Sequence, residues 1–315
     1  MYDNRRNIIR RRRKKKARGR PALLAVIAGL SLYMAVFAFK AFGPGGRAHP
    51  VSAMGSGSLY SQNAVLMRLE NGRVLYEKNS GERIYPASLT KLMTVLVILE
   101  QFEDLDHTVT LSGQVFDELR TSGASMAGFL PGEQLTLRDL LYGCMLPSGA
   151  EAALGLACAI AGSEENFAEL MNEKAAALGM GHTHFTNATG LHDPGHYSTV
   201  SDMALLLRQG LENPDFRELF TTFCYQTGPT SQHPEGLYLS STMNGLMAAA
   251  DCPEGVTLLG GKTGYTEEAG LCLASLAEKD GQEFIAVTAG APGSHETAPR
   301  HLEDALRLYG LADCV

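Results

Sequence analysis

The chain is short of the features that mark metal and disulfide proteins. Its six cysteines, Cys144, Cys158, Cys224, Cys252, Cys272 and Cys314, include no Cys-x-x-Cys pair and fall well below the density of a disulfide scaffold. Cys144, Cys158 and Cys272 sit in apolar runs and read as small buried hydrophobes, so no disulfide is assigned. There is no helical His-Glu-x-x-His. His182, His184, His192 and His196 crowd together, but in a stretch punctuated by Gly and Asn, which reads as a histidine-stabilised loop with no metal. Internal repeats are absent. The body of the chain is short of positive charge relative to negative: residues 1–20 hold eleven Lys or Arg against Asp3, so an overall charge of -7 leaves -17 on everything after them. A body that acidic excludes nucleic-acid binding through its folded surface.

What is present begins with that basic tail. Residues 21–39, Pro21 to Phe39, follow it directly and carry no charge. Nineteen such residues suffice to cross a bilayer, and the charge ahead of them predicts a cytoplasmic N-terminus and an external body. A cleaved signal peptide is the alternative, with Val51 to Gly55 as its site. Residues 40–58, rich in Gly, Ser and Pro, read as a flexible linker, and residues 59–315 as the folded domain.

Within that domain, Ala64 to Leu69 and Arg73 to Glu77 flank an Asn71-Gly72 turn and predict a hairpin. Pro86 and Ala87 introduce a buried helix over Leu89 to Phe102, with Ser88 in its first turn. Helices are predicted over Leu137 to Ile160, capped by Thr136, and over Ser163 to Leu178, with breaks at Gly162 and Gly179. Val256 to Leu259, Gly270 to Glu278 and Glu283 to Ala289 read as strands, and Pro299 to Leu311 as an amphipathic closing helix. Strands at both ends with helices between indicate an α+β fold whose terminal halves share one sheet.

Three short motifs carry chemistry. In Ser88-Leu89-Thr90-Lys91, the i, i+3 spacing puts an amine beside a hydroxyl on one helix face, a base beside its nucleophile. Lys91 can accept a proton only where its surroundings disfavour the ammonium, and Lys262 is the candidate second cation. In Lys262-Thr263-Gly264, charge and hydroxyl can receive a carboxylate while Gly264 lets the strand approach a ligand. Ser148, at the break between two apolar runs, reads alone as an ordinary helix cap, but in the company of the other two motifs it can relay a proton from Lys91 to a leaving group.

These motifs, with Tyr85 to Thr94, Leu140 to Ala153, Gly190-Leu191-His192-Asp193 and His196 to Thr199, resemble the low-molecular-mass penicillin-binding, serine-type D-alanyl-D-alanine carboxypeptidases. The likeness runs from about Leu59 to the C-terminus. It implies a β-lactamase/transpeptidase-like fold, an antiparallel sheet with packed helices and a helical lobe, the site lying between them. By the same resemblance Ser88 is the acylated nucleophile, Lys91 its base and Ser148 the relay. Lys262 and Thr263 bind the terminal carboxylate beside Gly264, and the N–H groups of Ser88 and Tyr265 form the oxyanion hole. No cofactor and no metal are implied. The substrate is the peptidoglycan stem peptide, from which the terminal D-Ala leaves, and β-lactams are inhibitors. A D,D-endopeptidase, a transpeptidase or a weakly active penicillin-binding wall protein would use the same residues. Two departures stand out. Ala150 replaces the asparagine usual in the Ser-Gly-Asn motif, and Glu151 beside it faces differently on a helix. Many relatives also carry a further β-rich domain and a C-terminal anchor; here the N-terminal span is expected to anchor the protein in the cell membrane.

Overall fold

In a computed structural model the chain divides into residues 1–49 and 50–315. The structure describes residues 58–248 and 250–314, all in the second unit, so the tail, the span at 21–39 and nearly all of the linker lie outside the described residues. Among those described, no helix is long and apolar enough to cross a membrane.

The sheet joins both ends of the domain. β1 (Asn63–Arg68) and β2 (Val74–Lys78) form the predicted hairpin, and Gly72 takes the left-handed conformation its turn requires, at φ 70°. β7 (Val256–Thr266), β8 (Gly270–Lys279) and β9 (Gln282–Ala291) form an antiparallel meander, and β9 pairs with β1. The result is a five-stranded sheet in the order β2-β1-β9-β8-β7, with β7 at one edge. Side chains alternate between its faces as the pleat demands. Val65, Met67, Ile285 and Val287 belong to the large core shared with the helices, whereas Leu66, Leu273 and Ala286 belong to a second core.

That second core is closed by α9 (Arg300–Gly310), whose Leu302, Ala305, Leu308 and Tyr309 are buried. Tyr309 Oη reaches Ser275 Oγ at 2.8 Å and accepts from the Ala286 N–H at 3.2 Å. The Asp304 carboxylate accepts the N–H groups of Tyr60 and Ser61, tying the start of the domain to its last helix.

The helical lobe comprises α1 (Lys91–Gln101), α2 (Gly113–Leu119), α3 (Leu137–Met145), α4 (Ala150–Ala161), α5 (Glu164–Leu178), α6 (Val200–Gly210), α7 (Pro214–Thr221) and α8 (Met243–Ala248). Caps follow the sequence: Thr136 and Ser163 accept N–H groups at the starts of α3 and α5, and Gly162 and Gly179 end α4 and α5 left-handed. Two short ribbons complete it, β3 (Thr108–Thr110) with β4 (Gln134–Thr136) and β5 (Cys224–Gln226) with β6 (Tyr238–Ser240).

Three local predictions shift. Ser88 does not lie in the first turn of α1; it sits in a tight 3-10 turn, Ala87–Thr90, that precedes it. Ala87 is forced left-handed, at φ 48°, and the Leu89 N–H reaches Pro86 O, which turns the chain sharply into the serine. The strand foreseen at Val256 to Leu259 continues through Lys262-Thr263-Gly264 to Thr266, across a bulge between Leu258 and Gly260. Of the three cysteines read as buried, Cys144 and Cys272 are, while Cys158 is half-buried.

Candidate active site

Three elements converge where the edge strand β7 meets the helical lobe. Gly264 makes that approach possible. A Cβ there would lie 3.1 Å from Ser88 N and 3.2 Å from Pro86 O, so the glycine brings the strand against the serine turn itself. Gly190 does the same from behind, at φ +81°, where a Cβ would stand 2.0 Å from Ala87 O. The serine turn is thus approached by two backbones, tightly at Gly264 and with no room for a Cβ at Gly190.

Ser88 is half-buried, and two lysines stand in the protein interior beside it. Lys91 Nζ donates to Ser88 Oγ at 3.1 Å and to Thr189 O at 2.6 Å. Lys262 Nζ donates to Ser148 Oγ at 2.8 Å and to its neighbour Thr263 O at 2.9 Å. Ser148 is buried and strained, at φ 64° in the break between α3 and α4, which turns its hydroxyl toward the strand. The structure therefore joins Ser88 with Lys91, and Ser148 with Lys262. Thr263 Oγ1 donates to Thr242 Oγ1 at 2.8 Å on the open side of the cleft, and Tyr265 follows on the same strand, its ring edge-on to His295.

Burial drives the electrostatics. Lys91 is wholly enclosed, and desolvation of the ammonium brings its pKa down to about 8, against the opposing pull of Cys144, Glu151 and Glu164. Lys262 is lowered further, first by burial and then by the charge of Lys91. The sequence offered burial and the like charge of Lys262 as causes; burial is the first cause at Lys91, and the repulsion between the lysines is felt at Lys262. At pH 7 a lysine of pKa near 8 is neutral in about a tenth of molecules, against about 0.04% at the ordinary value.

Several supporting groups have no motif of their own. The carbonyl of Thr189 is presented by a loop in which Asn187 Oδ1 accepts the N–H groups of Thr189 and Gly190. Glu164 Oε1 fixes the same loop through the Ala188 N–H, and Thr94 Oγ1 donates to Ala188 O. The Asn-x-Thr-Gly turn signature was the available clue. His196 is buried, accepts the Thr186 N–H at Nδ1 and so donates from Nε2 to Thr90 Oγ1 at 2.7 Å; burial pushes its pKa down to about 4. His184 Nδ1 meets Gly195 O, and His192 lies against Tyr85 and Glu268. These histidines hold the loop, and among the described residues no group of His, Cys, Asp or Glu is arranged to hold a metal.

The third corner also resolves. Ala150 is buried with Val115, Leu119 and Leu154 in a small apolar cluster, and its N–H bonds Ser125 O. Glu151 faces away from this cluster, toward residues 127–129.

The sequence from residue 49 to residue 293 matches the peptidase S11 family, described as D-alanyl-D-alanine carboxypeptidase. The chain belongs to that family. DacF of Bacillus subtilis, a D-alanyl-D-alanine carboxypeptidase, is 39% identical over 73% of this chain and 57% of its own length. The D-alanyl-D-alanine carboxypeptidase of Streptomyces sp. strain K15 is 30% identical over 84% and 92%. The solved structures carry the same fold. A Streptomyces K15 DD-transpeptidase variant aligns with a TM-score of 0.74 at 28% identity, covering 82% of this chain and all of that one. The D-alanyl-D-alanine carboxypeptidase of Mycobacterium tuberculosis aligns with a TM-score of 0.74 at 25% identity, over 85% and 97%. The S11 chain thus spans little more than half of its Bacillus relative and nearly all of its Streptomyces one.

Proposed function

We propose that this S11 peptidase cleaves the bond between the two terminal D-alanines of peptidoglycan stem peptides through an acyl-enzyme on Ser88. The observation that carries the reading is the 3.1 Å contact between Ser88 Oγ and a buried lysine whose ammonium is disfavoured. Lys91 takes the hydroxyl proton as Ser88 attacks the carbonyl. The oxyanion is received by the N–H groups of Ser88 and Tyr265, the latter next in the chain to Gly264, which brings the strand against the Ser88 backbone. Lys262 donates to Ser148, whose hydroxyl passes the proton to the departing D-Ala amine. Lys262 and Thr263 receive the terminal carboxylate. Because β7 is an edge strand, its outward N–H and C=O groups can pair with the extended peptide. Water then releases the shortened stem peptide, and a β-lactam, mimicking the dipeptide, acylates the same serine.

The name of the Streptomyces structure, a DD-transpeptidase, favours a second reading in which an amine replaces water as acceptor. The full chain in detergent, given a pentapeptide ending in D-Ala-D-Ala with and without an amino-acid acceptor, separates them. Free D-Ala with the tetrapeptide marks the carboxypeptidase; an exchanged peptide at the expense of tetrapeptide marks the transferase; neither product sinks both.

We further propose that residues 21–39 anchor the protein in the cell membrane with its peptidase domain outside. Protease added to intact cells should digest the domain, and its full protection would contradict this orientation.

A further inference from the structure

Glu151 is the second residue of α4, immediately after the Ser148-Gly149-Ala150 corner, and its side chain is wholly buried. Its Oε1 accepts three consecutive backbone N–H groups, from Ala127 at 2.7 Å, Gly128 at 2.9 Å and Phe129 at 3.3 Å. Oε2 is buried too and has no hydrogen-bond partner among the described residues. The segment so gripped lies across the corner: Ser125 O accepts the Ala150 N–H, and a Cβ on Gly149 would stand 2.7 Å from Ala127 Cβ. Two of its neighbours, Met126 and Leu130, are large hydrophobics left open to solvent. A buried carboxylate at this place needs a reason, since burial disfavours the charge and only backbone N–H groups, those of residues 127–129 and its own, offset it.

We propose that Glu151 is a positioning residue for acylation, its carboxylate holding residues 127–129 as a strap over the Ser148 corner and setting the negative field in which Lys91 works. Ala150 puts no polar side chain at the third position of that corner, and the adjacent carboxylate does the orienting from the other side. The inference rests on the Ser88 acylation reading. The titratable groups around Lys91 are known on every side: Cys144 on α3, Glu151 on α4, Glu164 on α5, all favouring the ammonium, and Lys262 on β7, which repels Lys91. Removing the charge of Glu151 lowers the pH at which Lys91 loses its proton. Moving the carboxylate without discharging it leaves that pH in place and loosens the strap.

The test is the pH dependence of Ser88 acylation by a fluorescent penicillin, on the full-length wild type, Glu151→Gln and Glu151→Asp. The glutamine oxygen still accepts the strap's N–H groups, so the fold is kept and the inflection moves down by at least about half a pH unit. A profile that superimposes on the wild type overturns the inference. Glu151→Asp, which covers a Gln variant that does not fold, should keep the inflection, slow acylation about tenfold at every pH and raise amide hydrogen exchange at residues 127–129. An unaltered rate with unaltered exchange overturns it equally. Failure of the wild type to label at Ser88 would instead remove the acylation reading on which the inference rests.

Discussion

At the scale of single residues, function depends on where protons sit. Lys91 must be neutral to serve Ser88, and its pKa is brought down to about 8. Acylation by penicillin should therefore rise about tenfold per pH unit below pH 8 and level off above it, since below that value the neutral fraction of the base is limiting. A flat profile from pH 5 to 9 would show that the proton goes elsewhere. Lys91→Arg, which keeps the charge and cannot become neutral, should lower the acylation rate by at least about 1000-fold, read in the same assay. Position 150 gives a second forecast. Its side chain is buried with Val115, Leu119 and Leu154, so Ala150→Asn sets an amide against apolar groups. The change should cost about 1–3 kcal/mol in chemical denaturation and should not accelerate turnover. These positions also show what single residues reveal in a sequence. Ser88, Lys91 and Lys262 announce themselves through spacing. The Thr189 carbonyl and the Glu151 carboxylate do not, because their roles arise from a loop and a strap that contact them only in the folded chain.

At the scale of elements, the site is a meeting of a tight turn, a helix break and an edge strand. The fit depends on glycines at Gly264 and Gly190, with Gly190 at φ +81° and no room for a Cβ against Ala87 O. Gly190→Ala should cost several kcal/mol, on the order of 3, and abolish labelling, because strain and overlap fall together on the serine turn. Thermal unfolding together with penicillin labelling reads both. Most long periodic segments were legible in advance, α6 excepted: the Asn-Gly hairpin, the helices after Thr136 and Ser163, and the closing helix all stand within a few residues of where pattern and capping put them. The short ribbons and α2, α7 and α8 were not, since elements of three to eight residues carry too little periodicity and are fixed by tertiary contacts. Ser88 itself moved from a helix turn to a 3-10 turn because Ala87 adopts a backbone conformation that no side-chain pattern encodes.

At the scale of the whole molecule, the first and last strands of the domain pair, so the catalytic edge depends on chain ends far from it. Asp304 secures that closure through Tyr60 and Ser61, and Tyr309 through Ser275 and Ala286. Tyr309→Phe removes the hydroxyl and leaves the ring in place, and should cost about 1–2 kcal/mol in denaturant while leaving the inflection of the acylation profile unchanged. Pairing of the two ends was foreseeable from strands at both termini with helices between, which is why the α+β class was legible from the sequence alone. The central claim is that the two buried lysines serve one nucleophile. It is tested most directly by digesting the penicillin-treated full-length protein and locating the adduct by mass spectrometry. The account predicts a single penicilloyl group on Ser88, lost in Ser88→Ala and formed more slowly at pH 6 than at pH 8. An adduct on Ser148 or another residue, or none on the folded wild type, would contradict it.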